Sequence, residues 1–439
     1  MESYSVDEPV YALATAYAVS ALAVVRTSGK GSILLLSKAF SRPRKLLAAA
    51  NASLVHGHIS DSDGTLIDEV VLAVYKEGHG YTGEEAVEIS THGSPTVLRR
   101  LFVRLEELGF RQARRGEFTF RAFMHGRMDL TQAEAVEEIV SSRSVHSQEK
   151  ALERLSGSLR RELGDIRRSL VEILASLEVQ LDYAEDEILE DWLFPDEEVD
   201  GILHRLGLLA SSYGAGRLYR DGAIVVLAGE PNAGKSSLFN LLVKEDRAIV
   251  SPQPGTTRDY IEAECEIAGL PVRLYDTAGL RTGGDEIEDE GIRRARSLFE
   301  KADLIVYLVE PGRPLPDDID LERTLIVHSK SDLACGGGLA VSSMTGEGVG
   351  LLIDKIGERL HEGEVVQGAE GPSIDSERQL ACIRSCIQAL EAARDNRNQS
   401  VDIMALFFQG ALEQLGLITG EVTNEELLDT LFSKFCLGK

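Results

Sequence analysis

The chain of 439 residues is poor in cysteine, in tryptophan and in positive charge. Its five cysteines, Cys265, Cys335, Cys382, Cys386 and Cys436, are odd in number and lack ligand-like pairing. Cys382 and Cys386 share a helix face at i, i+4, but no His or second Cys pair accompanies them. The shortage argues against a disulfide framework and a zinc site, and reads as buried free thiols in a reducing compartment. The 46 Lys and Arg against 72 Asp and Glu leave a net charge of −26. This argues against a protein that coats nucleic acid by neutralising phosphates alone; a nucleic-acid substrate would need a local basic groove or a partner that supplies the field. No stretch approaches the ~20 uninterrupted apolar residues of a membrane span, and residues 1–8 lack the basic flank of a signal peptide. The expectation is a cytoplasmic protein without a membrane partner.

What is present is ordinary globular material, 43% apolar and 27% charged, in a chain long enough for several cores. Residues 1–128 mix short β-rich runs (11–16, 21–26, 69–75, 86–90) with an amphipathic helical stretch at 95–108, an α+β pattern. Residues 129–220 are helical in period, with Leu152, Leu155 and Leu159, then Ile166, Leu170, Ile173, Leu174 and Leu177, at spacings of three and four. Residues 221–362 alternate strand and helix signals, and 363–439 return to helical period after a Gly- and Glu-rich linker. The simplest reading is a multidomain α/β protein in which an all-helical domain is interrupted by an α/β insert. The acidic run 183–187, shortly before Pro195, reads as a solvated helix end rather than a metal site.

Residues 229–236 read Gly-Glu-Pro-Asn-Ala-Gly-Lys-Ser, between the apolar run 223–227 and the helix-like 237–242. A strand feeding a glycine-rich turn and a helix N-terminus aims successive backbone N–H groups at a phosphate, and the helix dipole favours its charge. Asn232, Ala233, Gly234, Lys235, Ser236 and Ser237 are therefore candidate phosphate contacts. Lys235 reaches toward the β- and γ-phosphates, and Ser236 offers a hydroxyl to Mg²⁺. Downstream, 272–275 leads into Asp276, Thr277, Ala278 and Gly279. The carboxylate suits the water shell of the metal, and the Gly279 N–H suits the γ-phosphate. Between them lies 255–259, Gly-Thr-Thr-Arg-Asp, whose Thr257 can complete the metal shell only while the triphosphate is there, as a switch loop does. Leu280 stands where Ras-like enzymes carry a catalytic Gln, so the attacking water must be oriented by another group.

The strand signal at 325–328 ends in Ser329-Lys330-Ser331-Asp332. Asp332 can accept the N1 and N2 donors of guanine, which adenine does not offer, while the Lys330 stem lies over the base. Ser329 replaces the usual Asn, a departure that bears on affinity more than on base identity. Ser342 and Ser343 open a further loop of base-contacting type. The order of these motifs, each at a strand end, points to a Ras-like P-loop GTPase module.

Taken together, residues 229–240, 255–259, 276–281 and 285–292 resemble the MnmE/TrmE family of tRNA modification GTPases, and 80–88, 92–93, 116–123, 129–135 and 435–439 resemble its signatures outside the GTPase module. The likeness spans nearly the whole chain. It implies a homodimer in which the GTPase modules meet across their nucleotide faces and a K⁺ ion stands in for an arginine finger. Asn232 would be its side-chain ligand, with Ser251, Gln253 and Thr256 supplying further oxygens; Ser251 and Thr256 also fall on the nucleotide. Glu288 would orient the water, the alternative being an exposed switch-helix carboxylate among Glu286 and Glu290.

The same resemblance implies an N-terminal formyl-tetrahydrofolate site with Arg26, Glu88, Arg127 and Lys439. For Arg26 a rim salt bridge is an equal alternative, and residues 14–18 depart from the Ala-Thr-Pro-Pro-Gly usual there. Cys436 falls on the Cys-x-Gly-Lys signature, as a nucleophile or acid-base group toward uridine or as a packed small hydrophobe. The implied activity is K⁺-stimulated GTP hydrolysis coupled, in a heterotetrameric or larger complex with an MnmG/GidA-type flavoprotein, to aminomethyl or carboxymethylaminomethyl addition at C5 of the wobble uridine of certain tRNAs. Two rivals are a regulatory GTP-binding switch without modification chemistry and a ribosome-assembly GTPase.

Overall fold

A computed structural model describes residues 4, 6–142, 144–182, 192–245, 261–277, 297–315, 319–333, 338–361, 371–423, 425–436 and 438. Backbone proximity divides the chain into two compact units, Met1–Glu137 with Gly416–Lys439, and Glu138–Leu415.

In the first unit, β1 (Val10–Leu13), β2 (Ser20–Ser28), β3 (Ser53–Ser60), β4 (Leu66–Tyr75), β5 (Ala86–Gly93) and β6 (Arg111–Gln112) form one sheet in the order β3-β4-β5-β2-β1-β6. All pairs are antiparallel except β1 with β6. The two-residue period of a strand sorts its side chains by face. From one face Val25, Val55, Val70, Leu72, Val74, Val87 and Ile89 join a core with Leu98, Leu101, Leu105 and Leu108 of the helix Pro95–Leu108. Each such leucine contributes roughly 1.5–3 kcal/mol by burial.

That helix begins with proline at its first position, where the missing N–H costs nothing, and stops at Gly109. Gly109, at φ 101°, takes the left-handed cap and donates its N–H to the Glu106 carbonyl. On the other face Val10, Ala12, Ala113 and Phe118 form a small cluster with Tyr81, while Leu22, Leu54 and Val71 are exposed.

Beside that cluster lies a buried ionic network. Arg121, fully buried, donates to Glu117, Glu84 and the Glu8 carbonyl. Burial pushes the Glu117 carboxyl up, but bonds from Arg111, the Arg114 N–H and Arg121 outweigh it and hold the group below its ordinary value. The helix Glu425–Phe432 packs on this region, and Gly116, at φ 68°, is forced to be glycine because a Cβ there would stand 2.5 Å from the Phe432 carbonyl oxygen.

The second unit combines helices with a five-stranded sheet. In the helix Ser158–Asp182, Leu159, Leu163, Ile166, Leu170, Ile173 and Leu177 are buried at spacings of three and four, as the period predicts. Strands β7 (Ala223–Gly229), β8 (Ile261–Ile267), β9 (Leu270–Asp276), β10 (Leu304–Val309) and β11 (Thr324–His328) lie in the order β11-β10-β7-β9-β8. All neighbours are parallel except β8 with β9. Central β7 is covered on both faces, so Ala223, Val225, Val226 and Leu227 are all buried and its sequence reads as an unbroken apolar run. The helices Lys235–Glu245 and Val349–His361 close the core.

The helix Val401–Thr419 is long and apolar enough by length and composition to cross a membrane, closer to a span than its interrupted apolar sequence leads one to expect. Asp402, Gln409, Glu413 and Gln414 interrupt it. Met404, Phe408, Ala411, Leu415 and Ile418, each at most 1% exposed, form one buried stripe at helical spacing, the pattern of a helix packed against protein. Of the described cysteines, Cys265, Cys382 and Cys386 are buried and outside any disulfide, and Cys436 is exposed; burial pushes the Cys386 thiol up to about 12.

Candidate functional site

The C-terminal ends of the parallel strands converge on the glycine-rich loop. Gly229 ends β7 at φ 137°, and a Cβ there would lie 2.5 Å from the Leu308 carbonyl oxygen of β10, so only glycine fits. Asn232 is a non-glycine residue at φ 67°, exposed at the crest of the loop, and Ala233 beneath it is fully buried. Such a left-handed residue in a turn costs about 1 kcal/mol and persists where the surroundings impose it. Lys235, 7% exposed, opens the helix and donates from Nζ to the carbonyls of Gly229 (2.9 Å) and Glu230 (2.8 Å). Its ammonium is thus held over the loop, beside the N–H groups of the helix start.

The next strand supplies the acid. Leu227 of β7 lies opposite Asp276 of β9, so the first strand aims the loop while the second ends on a carboxylate. Ser236 Oγ donates to Asp276 Oδ2 at 2.6 Å, and Asp276 is 1% exposed. Thr277 Oγ1 donates to the Leu227 carbonyl and locks the turn after β9. A hydroxyl and a carboxylate side by side at a phosphate-type loop are the hard oxygen donors that Mg²⁺ takes.

Beyond β11 lies the loop expected from the sequence to read the base. Ser329, 2% exposed, turns both its N–H (2.9 Å) and its hydroxyl (3.3 Å) back to the Val309 carbonyl. Lys330 sits at φ 57°, and its Nζ pairs with Glu310 Oε1 at 2.6 Å. Ser342 Oγ, fully buried, donates to Asp332 Oδ1 at 2.6 Å and fixes that carboxylate. Ser343 Oγ lies 3.8 Å from where a Cβ on Gly234 would stand, so the serine loop meets the glycine-rich loop. Glu310 was not singled out in the sequence; an acid closing the apolar strand β10 is the signal that could have found it.

In the first unit, Arg26 of β2 and Glu88 of β5 are cross-strand partners, joined Nε to Oε1 at 2.8 Å. With Ala73 and Leu54 they form one row across the sheet face away from the main core. Arg26 is therefore tied in the salt bridge that was one of its two readings. Arg127 is exposed, and its methylenes lie 3.3 Å from the position a Cβ on Gly83 would take. The intervening Tyr81 bonds Thr119, and burial pushes its phenol up while Arg26 opposes the rise. Cys436 is exposed beyond the last helix, and its carbonyl accepts from the Gly116 N–H at 3.4 Å. Phe432 and Phe435, at 0% and 3% exposure, do the packing, so the reading of Cys436 as a packed hydrophobe does not describe it. Ser251, Gln253, Thr256, Thr257, Ala278, Gly279, Glu288 and Lys439 lie outside the described residues.

The family described as "MnmE helical domain" matches residues 130–436, and that described as "GTP-binding protein TrmE N-terminus" matches residues 9–127. The tRNA modification GTPase MnmE of Treponema denticola is 39% identical over 467 residues, covering 99% of this chain and 99% of that protein. Its namesake from Thermus thermophilus is 38% identical over 445 residues, covering 99% and 100%. That from Aquifex aeolicus is 35% identical over 456 residues, covering 98% and 100%. Among solved structures, the G domain of the T. maritima FeoB iron transporter is 25% identical with a TM-score of 0.25, covering 32% of this chain and 98% of that one.

Proposed function

The chain belongs to the tRNA modification GTPase MnmE family, and from that premise we propose that it hydrolyses GTP with K⁺ stimulation as part of wobble-uridine modification. The observation that carries the reading is the 2.6 Å contact between Ser236, in the first turn of the helix after β7, and Asp276, the last residue of the parallel neighbour β9, with Lys235 Nζ bonded back to the glycine-rich loop. Asp332, held by Ser342, supports guanine over adenine, because its carboxylate accepts from N1 and N2 donors that only guanine has.

The chain's own groups divide the work. Backbone N–H groups at the start of the helix Lys235–Glu245, with Lys235, bind the β- and γ-phosphates. Ser236 and Thr257, with Asp276 through the metal's water shell, would hold Mg²⁺, and Asn232 with Ser251, Gln253 and Thr256 would hold K⁺. The two cations, when bound, neutralise charge that develops between the β- and γ-phosphates. Glu288 orients the attacking water.

The homodimer, the MnmG/GidA-type flavoprotein partner and the tRNA belong to the same proposal, with action in the cytoplasm and addition at C5 of the wobble uridine. The exposed apolar residues Leu22, Leu54 and Val71 on the open sheet face support a second copy docking there. Formyl-tetrahydrofolate would bind through Arg26 and Glu88 on that face, together with Arg127 and Lys439. Glu88 offers a carboxylate to pterin N–H donors once Arg26 turns to the glutamate tail. Cys436, exposed at the end of the chain, is accessible to uridine C6.

The deciding experiment is turnover of GTP and of ATP by the full chain in K⁺ and in Na⁺. Faster GTP turnover in K⁺ with ATP unused supports the proposal, whereas equal use of both nucleotides ends it.

A further inference from the structure

We propose that Glu310 is a positioning residue for the guanine-reading loop, acting through Lys330 and making up for the serine at position 329. The inference rests on the guanine-nucleotide reading above and adds a residue to it.

Strands β10 and β11 are parallel neighbours with Val309 opposite His328. Glu310 and Ser329 are the next residues outward on each strand, and Lys330 follows. In motifs of this kind the first residue is usually Asn, long enough to support the loop or touch the base. Ser329 carries a shorter side chain. It is 2% exposed, and its N–H and hydroxyl both return to the Val309 carbonyl, so its polar atoms are used up inside the strand ends.

Asp332 has its own anchor in Ser342, and Ser331 donates its N–H to the Val341 carbonyl. Lys330 between them is at φ 57°, a conformation that an L-residue holds only when its surroundings impose it. The side-chain restraint it has is the ion pair from Nζ to Glu310 Oε1 at 2.6 Å. With its ammonium held at Glu310 and its Cα fixed by the loop, the methylene stem between them is restrained at both ends and offers an apolar surface for the face of a purine.

A second charge pair continues the line. Arg313 Nε lies 3.6 Å from Glu230 Oε2 in the glycine-rich loop, and its positive charge also acts on Glu310. The Lys330 bond, with the charges of Lys330 and Arg313, holds the Glu310 carboxyl below its ordinary value, so Glu310 is ionised at neutral pH. Glu310 thus pairs with the base-reading loop through Lys330 and feels the charge of Arg313, which pairs with the glycine-rich loop.

The test is a double-mutant cycle on the full chain, read by titration with a fluorescent GDP analogue and with its ADP counterpart. Because the pair is partly exposed, Glu310→Gln is expected to weaken GDP binding about 3- to 5-fold. Lys330→Met should weaken it about 10-fold, and the double variant should bind as Lys330→Met alone does, because Glu310 has nothing left to act through. Glu310→Asp should recover part of the loss.

The preference for GDP over ADP should be unchanged in Glu310→Gln, since Asp332 sets it. If Glu310→Gln binds GDP as the wild type does, or if its effect persists undiminished beside Lys330→Met, the inference is overturned. A wild-type chain with no preference for GDP over ADP would instead overturn the guanine reading itself.

Discussion

Ser236 Oγ and Asp276 Oδ2 are hydrogen-bonded across 2.6 Å, joining the first turn of the helix after β7 to the last residue of β9. The bond exists because β7 and β9 are parallel neighbours in register, with Leu227 opposite Asp276. Two residues forty positions apart in sequence thereby become one oxygen site.

Ser236→Ala removes the hydroxyl and leaves the Asp276 carboxylate, 1% exposed, without this partner. The expected outcome is a fall in kcat/KM for GTP of about 100-fold, roughly 2.7 kcal/mol of lost transition-state stabilisation. Excess Mg²⁺ should restore only part of it. Steady-state turnover across a Mg²⁺ titration checks this, and a variant as active as the wild type at low Mg²⁺ would remove Ser236 from the metal site.

Asn232 is exposed at the crest of the glycine-rich loop in a left-handed conformation, which suits a group offered to a second ion rather than to the chain's own core. Replacing Na⁺ by K⁺ should raise GTP turnover, and Asn232→Ala should remove most of the difference. Glu288→Ala should slow hydrolysis while leaving GTP affinity nearly intact, since it is proposed to touch water and not nucleotide. Equal rates in both salts would discard the cation.

Glu138 and Asp375 are buried carboxylates that share the Arg154 guanidinium, which lies 2.7 Å from Asp375 Oδ2 and also pairs with Glu138. Burial, with the charge of Asp375, pushes the Glu138 carboxyl up to about 8 against the pull of Arg154. The folded chain thus keeps a proton that the unfolded chain releases near the ordinary value of 4.5. Below that value the group takes nothing from stability. Between it and about 8 each step in pH favours the unfolded chain, and above about 8 the loss is complete. Denaturant unfolding measured across this window should show stability falling with pH, with the slope reduced in Glu138→Gln. A slope identical in the two proteins would contradict the account.

Cys436 is exposed and does not pack, unlike Phe432 and Phe435 beside it. Cys436→Ser should therefore leave thermal unfolding within about 0.5 kcal/mol of the wild type. GTP turnover should persist while wobble-uridine modification is lost, as mass spectrometry of tRNA from a complemented deletion strain would reveal. Normal modification with serine in place would strip the thiol of a chemical role.

Local signals in the sequence were sufficient where a side-chain period or a backbone requirement lies within a few residues. The helix Pro95–Leu108 could be bounded from its proline, its leucines and the following glycine. The strand, glycine-rich loop and helix around Lys235 follow from an apolar run and two glycines with left-handed angles. Strand β3 was not legible. It contains Gly57, His56 and His58, and Gly57 is there because the Phe40 ring lies 2.5 Å from where its Cβ would be, a contact between distant residues.

Sequence alone thus determined the fold class, through periods and turn residues that act over one or two turns of chain, and the chemical types at the nucleotide loops, through their order at strand ends. Tertiary structure alone decided which of those residues meet. Strand register paired Arg26 with Glu88 and set Ser236 against Asp276, and the alignment of β10 with β11 brought Glu310 to Lys330. It also gathered Gly416–Lys439 with Met1–Glu137, although most of the chain separates them. The physical reason is range: dihedral preference and hydrophobic period act between near neighbours, whereas hydrogen bonds and ion pairs between distant residues exist only after the backbone has closed around a shared core.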